Sequence, residues 1–269
     1  MKATIIGVGN LGGAIARGLA NGTFMRAEDI TCVDTNPEAL ERLRETGLPF
    51  KLTTDVRKAV PDTDIFILAV KPHAVPIINE QCRDLLDFDK HIFFSVVAGI
   101  TFDDFDKMMF GDPRATKDVH FRIMPNLAIE MGESMTFISS RNANDAQIKL
   151  AETIFGEMGR TMVIPEQLMS AATAVGSCGI AYVMRYMSAA MNGAIEAGFS
   201  QSEALAIILQ TMKGAIDLLS TTGQHPEAEI SRVLTPGGYT IRGLNKMEEK
   251  GFSNAIIAGI RESCRPSSR

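Results

Sequence analysis

Three features of the amino-acid sequence predict an α/β protein in which a doubly wound, mostly parallel sheet is followed by an all-helical domain. The chain opens with four residues of strand character, Ala3-Thr4-Ile5-Ile6. These run into Gly7-x-Gly9-x-x-Gly12, after which the apolar spacing becomes helical through Ile15 and Leu19. A second strand, Glu28 to Val33, ends in Asp34, twenty-two residues after Gly12. From Pro165 to the end no strand pattern recurs.

Strand, tight turn and helix in that order begin a dinucleotide-binding βαβ unit. The first glycine makes the turn, the second admits backbone N–H groups to a pyrophosphate, and the third lets helix and strand pack closely, with the anion on the helix N-terminus. An acid about 20 residues further on suits the hydroxyls of an adenosine ribose. Gly7, Gly9, Gly12 and Asp34 are therefore candidate cofactor ligands, and a Rossmann-type domain is expected over residues 1–164. The alternative is a glycine-rich turn in a sheet that binds no dinucleotide.

The remaining elements follow in order. Asn36-Pro37-Glu38 starts a helix with Pro37 in its first turn and Leu40 and Leu43 facing inward. Asp64 to Val70 is a continuous apolar run, the mark of a strand buried on both faces, and ends in Lys71-Pro72-His73. His91 to Val97 is another such strand and stops at Ala98-Gly99. A helix around Phe102 to Phe110, a strand from Asp118 to Met124 ending in Pro125-Asn126, a strand from Met135 to Ser139, a helix from Asp145 to Met158 and a strand from Arg160 to Ile164 complete the sheet. Open α/β sheets bind ligands at the carboxyl ends of their strands, which makes Lys71 a ligand candidate; a solvated lysine starting a loop is the equal alternative.

The second half, 165–269, reads as helices: Glu166 to Ala197, Gln201 to Ser220, Pro226 to Leu234, Thr240 to Lys250 and Ser253 to Ser263. Ser200 and Glu203 form a capping box, and Gly251 is a C-terminal stop. Along the first of these helices Ile180, Val183, Met184, Met187 and Met191 recur at helical spacing, with small residues on much of what remains. A helix apolar or small on most faces needs more neighbours than a thin domain supplies, so a second subunit is expected against it. Gly179 to Gly198 carries Arg185, Asn192 and Glu196 and is not expected to cross a membrane. The tail Arg265 to Arg269 is expected to fray.

Composition narrows the function. With 45% hydrophobic and 22% charged residues and a net charge of −5, the chain has the balance of a globular protein and no general nucleic-acid-binding surface. Cys32, Cys82, Cys178 and Cys264 form no Cys-x-x-Cys pair, and the four histidines are scattered, so reduced thiols in a cytoplasmic protein and no metal site are expected. The first strand begins almost at Met1, and no leader is expected.

One stretch of the helical half is not a packing pattern: Thr235-Pro236-Gly237-Gly238-Tyr239-Thr240-Ile241. Such a turn offers free N–H groups at the positive end of a helix dipole, suited to a carboxylate. Thr240 as an ordinary N-cap after a glycine hinge is the alternative.

Taken with Gly-Val-Gly-Asn-Leu-Gly, Ala69-Val70-Lys71-Pro72, Arg122-Ile123-Met124-Pro125-Asn126 and Ala181-Tyr182, this loop resembles the pyrroline-5-carboxylate reductases, from near Met1 to about Ser263. The resemblance implies a nucleotide-binding domain and a helical domain that forms a homodimer, with dimers assembling further. It places the nucleotide on Ile6, Gly7, Gly9, Asn10, Leu11 and Ala69 to Pro72 (Ala69, Val70, Lys71, Pro72). Ala98, Gly99 and Asn126 would lie near the nicotinamide. Pro236, Gly237, Gly238 and Thr240 would surround the carboxylate and ring nitrogen of a cyclic imine carboxylate, with Cys178 as a further contact.

Three positions depart from the family pattern. Cys178 in Gly176-Ser177-Cys178-Gly179-Ile180-Ala181-Tyr182 replaces a serine, and a thiol is the poorer donor. Tyr239 replaces a small residue, and Glu229-Ile230-Ser231 replaces Leu-basic-Asp.

The reaction implied is hydride transfer from NADPH or NADH to 1-pyrroline-5-carboxylate, giving L-proline, with Thr240 as the candidate catalytic residue. Asp34 favours NADH by repelling a 2′-phosphate, whereas the resemblance suggests NADPH; Arg42 and Arg44 are of uncertain direction. Two rivals are a hydroxyacid-type dehydrogenase of similar layout and a non-catalytic dinucleotide-binding sensor. The dehydrogenase would carry a lysine and, four residues on, an asparagine, where this chain has Lys213 and Asp217.

Overall fold

Strand β1 (Ala3–Ile6) is buried at every residue and lies inside one eight-stranded sheet of order β3-β2-β1-β4-β5-β6-β7-β8. The others are β2 (Ile30–Val33), β3 (Lys51–Thr53), β4 (Ile65–Leu68), β5 (Ile92–Ser95), β6 (His120–Met124), β7 (Ser134–Arg141) and β8 (Gly159–Val163). All neighbours are parallel except β6 and β7. The computed structural model describes residues 1–87, 89–111 and 118–265; of the tail expected to fray, 266–269 lie outside these.

Successive residues of β1 face opposite ways, and each face has its own core. Ile5 joins Ile15 and Leu19 of α1 (Asn10–Asn21), Leu40 and Leu43 of α2 (Pro37–Arg44) and Phe155 of α6 (Asp145–Gly156). Ile6 joins residues of α3 (Val56–Ala59), α4 (Val75–Cys82) and α5 (Phe102–Phe110). Rings consolidate both faces, Phe66 stacking on Phe93 at 5.3 Å and Phe94 meeting Phe155 edge-on at 5.5 Å. Each fully buried phenylalanine contributes about 1.5–3 kcal/mol.

Local chemistry sets the helix starts. The Asn36 side chain accepts from Glu38 N–H with Pro37 behind it, and Thr101–Asp104 and Asn144–Gln147 form capping boxes. The expected second strand begins later, at Ile30, because Ala27–Asp29 is a 3₁₀ turn. Strand β3, three residues long and only half-buried, has no run of apolar or alternating residues to announce it.

Chain order produces the site. The chain passes from β1 outward to β2 and β3, then returns to β4 on the other side of β1. The turns after β1 and β4 therefore diverge at the carboxyl edge, the switch point where an open α/β sheet binds its ligand.

The single helix expected from Glu166 is broken. A 3₁₀ turn (Glu166–Leu168), α7 (Met169–Ala172) and a π-helical turn (Thr173–Ser177) precede α8 (Gly179–Glu196). Met169 and Ala172 pack on Met124 and Phe137 in a small core of their own, and Asn126 Nδ2 donates to Gly176 O at 3.1 Å. By compactness the first unit spans Met1–Ser177 and takes up the chain again from Ser263; the second is Cys178–Glu262.

The second unit holds α8, α9 (Gln201–Thr222), α10 (Pro226–Val233), α11 (Tyr239–Glu249) and most of α12 (Phe252–Ser263). The Ser200–Glu203 capping box starts α9, and Gly251, at φ +81°, follows α11. Among its described residues Ala204 alone is buried, while Met184, Ile216, Leu218 and Ile257 stand exposed. By length and composition, Glu166–Glu196 and Gln201–Thr222 would suffice to span a bilayer.

Candidate functional site

Two glycines of the first turn are fixed by contact and the third is open. Gly7 has φ +88°, and a Cβ there would lie 2.6 Å from Ala69 O. At Gly12 a Cβ would lie 1.9 Å from Gly7 O, whereas at Gly9 it would meet nothing within 4 Å. Gly9 is the N-cap of α1 and offers no side chain, the first turn carries no acid, and the first intrahelical bond runs from Gly13 N–H to Gly9 O at 2.9 Å. The N–H groups of Asn10, Leu11 and Gly12 are thus left at the positive end of the helix, an anion cradle with room above Gly9. These residues fit the pyrophosphate of a dinucleotide.

Neighbouring strand ends supply the rest. Ala69 N–H donates to Ile6 O at 2.8 Å, which seats Val70 beside Gly7 and leaves Lys71 exposed. Among the described residues Lys71 is in no ion pair. Ala98 and Gly99 are exposed just beyond β5, and Asn126 lies just beyond β6. In sheet order β2, β1, β4, β5 and β6, the candidates Asp34, Ile6 to Leu11, Ala69 to Pro72, Ala98-Gly99 and Asn126 all sit on one edge.

Asp34 and Asn126 are braced within the protein. Asp34 Oδ2 accepts from Val8 N–H at 2.8 Å and Oδ1 from Asn36 N–H at 2.9 Å, so the carboxylate ties the glycine turn to the loop after β2. No cation pairs with it among the described residues. Arg42 and Arg44 lie in the last turn of α2, about 9 and 12 Å along the helix from Asn36, and Arg44 pairs with Glu41. Asn126 is 8% exposed. Its Oδ1 accepts from Ala128 N–H, its Nδ2 donates to Gly176 O, and its N–H donates to Ser134 Oγ.

In the second unit, Gly238 N–H closes a turn on Thr235 O at 2.9 Å, with Gly237 at φ +69°. Gly238 is the N-cap of α11 and provides no side chain. Thr240 is therefore inside the first turn with its hydroxyl uncommitted, which removes its reading as an N-cap. Tyr239 is 88% exposed, and the Arg242 guanidinium lies 4.9 Å above its ring. Cys178 is a half-buried free thiol at the start of α8. Cys32, by contrast, is inert, because burial in β2 pushes its thiol up to about 12.

One pairing escapes a reading by motif. Arg122 on β6 and Glu166 after β8 form a 2.9 Å ion pair beside a cavity of about 440 Å³ that Gly99, Thr101, Ser170 and Thr173 also line. A lone arginine inside a buried strand is the sequence feature that asks for a counter-ion; which acid answers depends on the fold.

Comparison with known proteins places this geometry. Residues 166–269 match the family model described as pyrroline-5-carboxylate reductase dimerisation, and 2–99 match that of an NADP oxidoreductase, coenzyme F420-dependent. The chain is 37% identical to a pyrroline-5-carboxylate reductase 2 of Dictyostelium discoideum, covering 98% of this chain and 91% of that protein. It is 30% identical to a pyrroline-5-carboxylate reductase of Methanosarcina acetivorans, over 97% and 96% of the two. The fold matches a crystal structure of the Plasmodium falciparum pyrroline carboxylate reductase with NADP bound, at TM-score 0.88 and 22% identity, over 98% and 95%.

Proposed function

We infer that this chain, which belongs to the pyrroline-5-carboxylate reductase family, reduces 1-pyrroline-5-carboxylate to L-proline with a hydride from NAD(P)H. The observation that carries the reading is the kinship along almost the whole of both chains, 37% over 279 residues.

When bound, the reduced nicotinamide would supply the hydride to the carbon of the protonated imine, whose N–H becomes the amine N–H of proline; the protein's part is to hold the partners in line. The N–H groups of Asn10 to Gly12 take the pyrophosphate, with Lys71 a cation near it. Ala98 and Gly99 leave a flat, side-chain-poor surface for the nicotinamide. On the second unit, Gly237, Tyr239 and Thr240 offer N–H groups at a helix N-terminus to the carboxylate, with Pro236 and Gly238 shaping the turn that holds them. The Thr240 hydroxyl would hydrogen-bond the ring nitrogen. Cys178 makes a weaker contact than a serine would.

Asp34 favours NADH over NADPH, since its carboxylate, in no ion pair among the described residues, would repel a 2′-phosphate. The chain divides at about 165 into a nucleotide domain and a dimerisation domain, whose exposed apolar helices are covered by the same helices of a second copy. Dimers assemble further, and the enzyme works in the cytoplasm. Lys213 is exposed and paired with Asp217 at 2.6 Å, which leaves the hydroxyacid dehydrogenase without its lysine.

The test is the loss of NADH absorbance, and separately of NADPH, on adding 1-pyrroline-5-carboxylate to the purified protein, with proline identified as product. Nucleotide binding without turnover would favour the sensor.

A further inference from the structure

Glu166 joins three parts of the first unit at a single oxygen. Its Oε1 accepts from Phe102 N–H at 2.6 Å and from Arg122 Nη1 at 2.9 Å. Phe102 is the first residue of α5, and its N–H is one of the donors that a helix start leaves without an internal partner. The Thr101–Asp104 capping box satisfies the N–H groups of Thr101 and Asp104. Of the two donors between them, that of Phe102 is taken by Glu166, across 64 residues of chain.

What this bond fixes is the loop before it. Val97 and Ile100 are buried, while Ala98 and Gly99 between them are exposed. The two exposed residues are thus a short bridge, held on one side by β5 and on the other by the start of α5. Arg122, 11% exposed on β6, fixes the carboxylate that anchors that second side. The segment is secured again at its far end, where Gly176 O accepts from Asn126 Nδ2 beyond the same strand. Residues 166–177 therefore clamp both loops that follow β5 and β6.

We propose that Glu166 is a positioning residue for hydride transfer: through Phe102 N–H it sets the height of the Ala98-Gly99 bridge on which the nicotinamide rests, with Arg122 holding its carboxylate in place. This rests on the reading above that Ala98 and Gly99 face the nicotinamide. The adenosine half of the nucleotide, held at the ends of β1 and β2, is outside the reach of this clamp.

The experiment uses the full chain with Glu166→Ala and Glu166→Gln. Glu166→Ala is expected to bind ADP-ribose within about twofold of wild type, to bind NADH several times more weakly, and to transfer hydride roughly tenfold or more slowly, the scale of a small misplacement. With NADH deuterated at C4 its isotope effect on turnover should rise. Glu166→Gln keeps an oxygen for Phe102 N–H and should recover most of the rate. If Glu166→Ala does not fold, Arg122→Gln, which leaves the Phe102 bond but frees the carboxylate, should show the same split between ADP-ribose and NADH. Equal losses for the two nucleotides, a hydride rate within about twofold of wild type, or a defect confined to the KM for the imine would overturn the proposal. Absence of turnover in the wild type would overturn the proposed reaction, while the ADP-ribose and NADH affinities would still decide the role of Glu166.

Discussion

The carboxylate of Asp34 accepts a hydrogen bond from Val8 N–H at 2.8 Å, so the acid at the end of β2 holds the glycine turn that follows β1. On the proposed reading, one side chain thereby sets both the shape of the glycine turn and the charge that a 2′-phosphate would meet. Asp34→Asn keeps an oxygen for Val8 N–H and removes the charge. The ratio of kcat/KM for NADPH to that for NADH is expected to rise by about tenfold, the effect of about 1.4 kcal/mol of relieved repulsion. Asp34→Ala also releases the turn and should weaken both cofactors. Steady-state kinetics with each nucleotide checks the pair; an unchanged ratio in Asp34→Asn would mean the ribose end lies elsewhere.

Gly9 and Gly12 should separate binding from folding. A Cβ at Gly12 would lie 1.9 Å from a backbone oxygen, and overpacking costs about 1–3 kcal/mol, at the upper end where backbone must move. Gly12→Ala is thus expected to lower Tm clearly. A Cβ at Gly9 touches nothing in the protein. Gly9→Ala should keep Tm within a degree or two, by roughly the ±0.5 kcal/mol of a tolerated surface change, yet lose NADH affinity in a titration.

This contrast shows what was readable before the fold was known. The spacing of Gly7, Gly9 and Gly12 announces the cradle because close approach of backbone to backbone demands glycine locally. Buried parallel strands declare themselves as apolar runs, so β1, β4, β5 and β6 and the ligand-bearing residues at their ends follow in order. Strand β3 does not, since exposed Lys51 and half-buried Leu52 and Thr53 carry no pattern. Nor does the break at Thr173–Ser177, which arises from packing on Met124 and Phe137 and a bond to Asn126. The pairing of Arg122 with Glu166 and of Asp34 with Val8 belongs to the tertiary fold, and residue type alone gives neither partner.

Acidification should destabilise the first unit. His120 is fully buried, its Nε2 lies 2.9 Å from Asp106 Oδ1, and Arg141 Nη1 holds the other Asp106 oxygen at 2.7 Å. Burial pushes the His120 pKa below the ordinary value and outweighs the attraction of Asp106, because Arg141 already offsets that charge. The unfolded chain therefore takes up the proton first. Stability is complete above about pH 6.5, the unfolded histidine value, and falls as pH drops below it toward the depressed folded value. His91, lowered by burial as well, adds to the same slope. Urea midpoints between pH 7.5 and 5.5 should decline, and His120→Asn should flatten the decline in part. A midpoint that rises on acidification would contradict this sign.

The helical unit should depend on its partner. Ile216 in α9 is 56% exposed in one chain and Met184 in α8 is similarly bare, although the family model for this segment is one of dimerisation. Ile216→Asp would bury a charge in the dimer, and an unpaired buried charge costs several kcal/mol. Sedimentation should show dimers that dissociate at micromolar concentration, with Tm becoming concentration-dependent. A variant that stays dimeric at all concentrations would place Ile216 outside the interface.

Thr240 offers the sharpest separation of chemistry from structure. It sits in the first turn of α11 after the cap Gly238, and its side chain is exposed with no hydrogen bond among the described residues. Removing the hydroxyl leaves no buried donor unpaired, so Thr240→Val should change stability by no more than about 0.5 kcal/mol. If the hydroxyl hydrogen-bonds the ring nitrogen of the imine as the hydride arrives, the bond is worth most in the transition state. Turnover should then fall about 10- to 100-fold with nucleotide affinity unchanged. A fall in kcat and kcat/KM by equal factors would assign the bond to the transition state alone, whereas a rise confined to the KM for the imine would make Thr240 a binding contact. Wild-type turnover in Thr240→Val would remove it from the mechanism and leave the N–H groups of Gly237, Tyr239 and residue 240 to position the substrate without the hydroxyl.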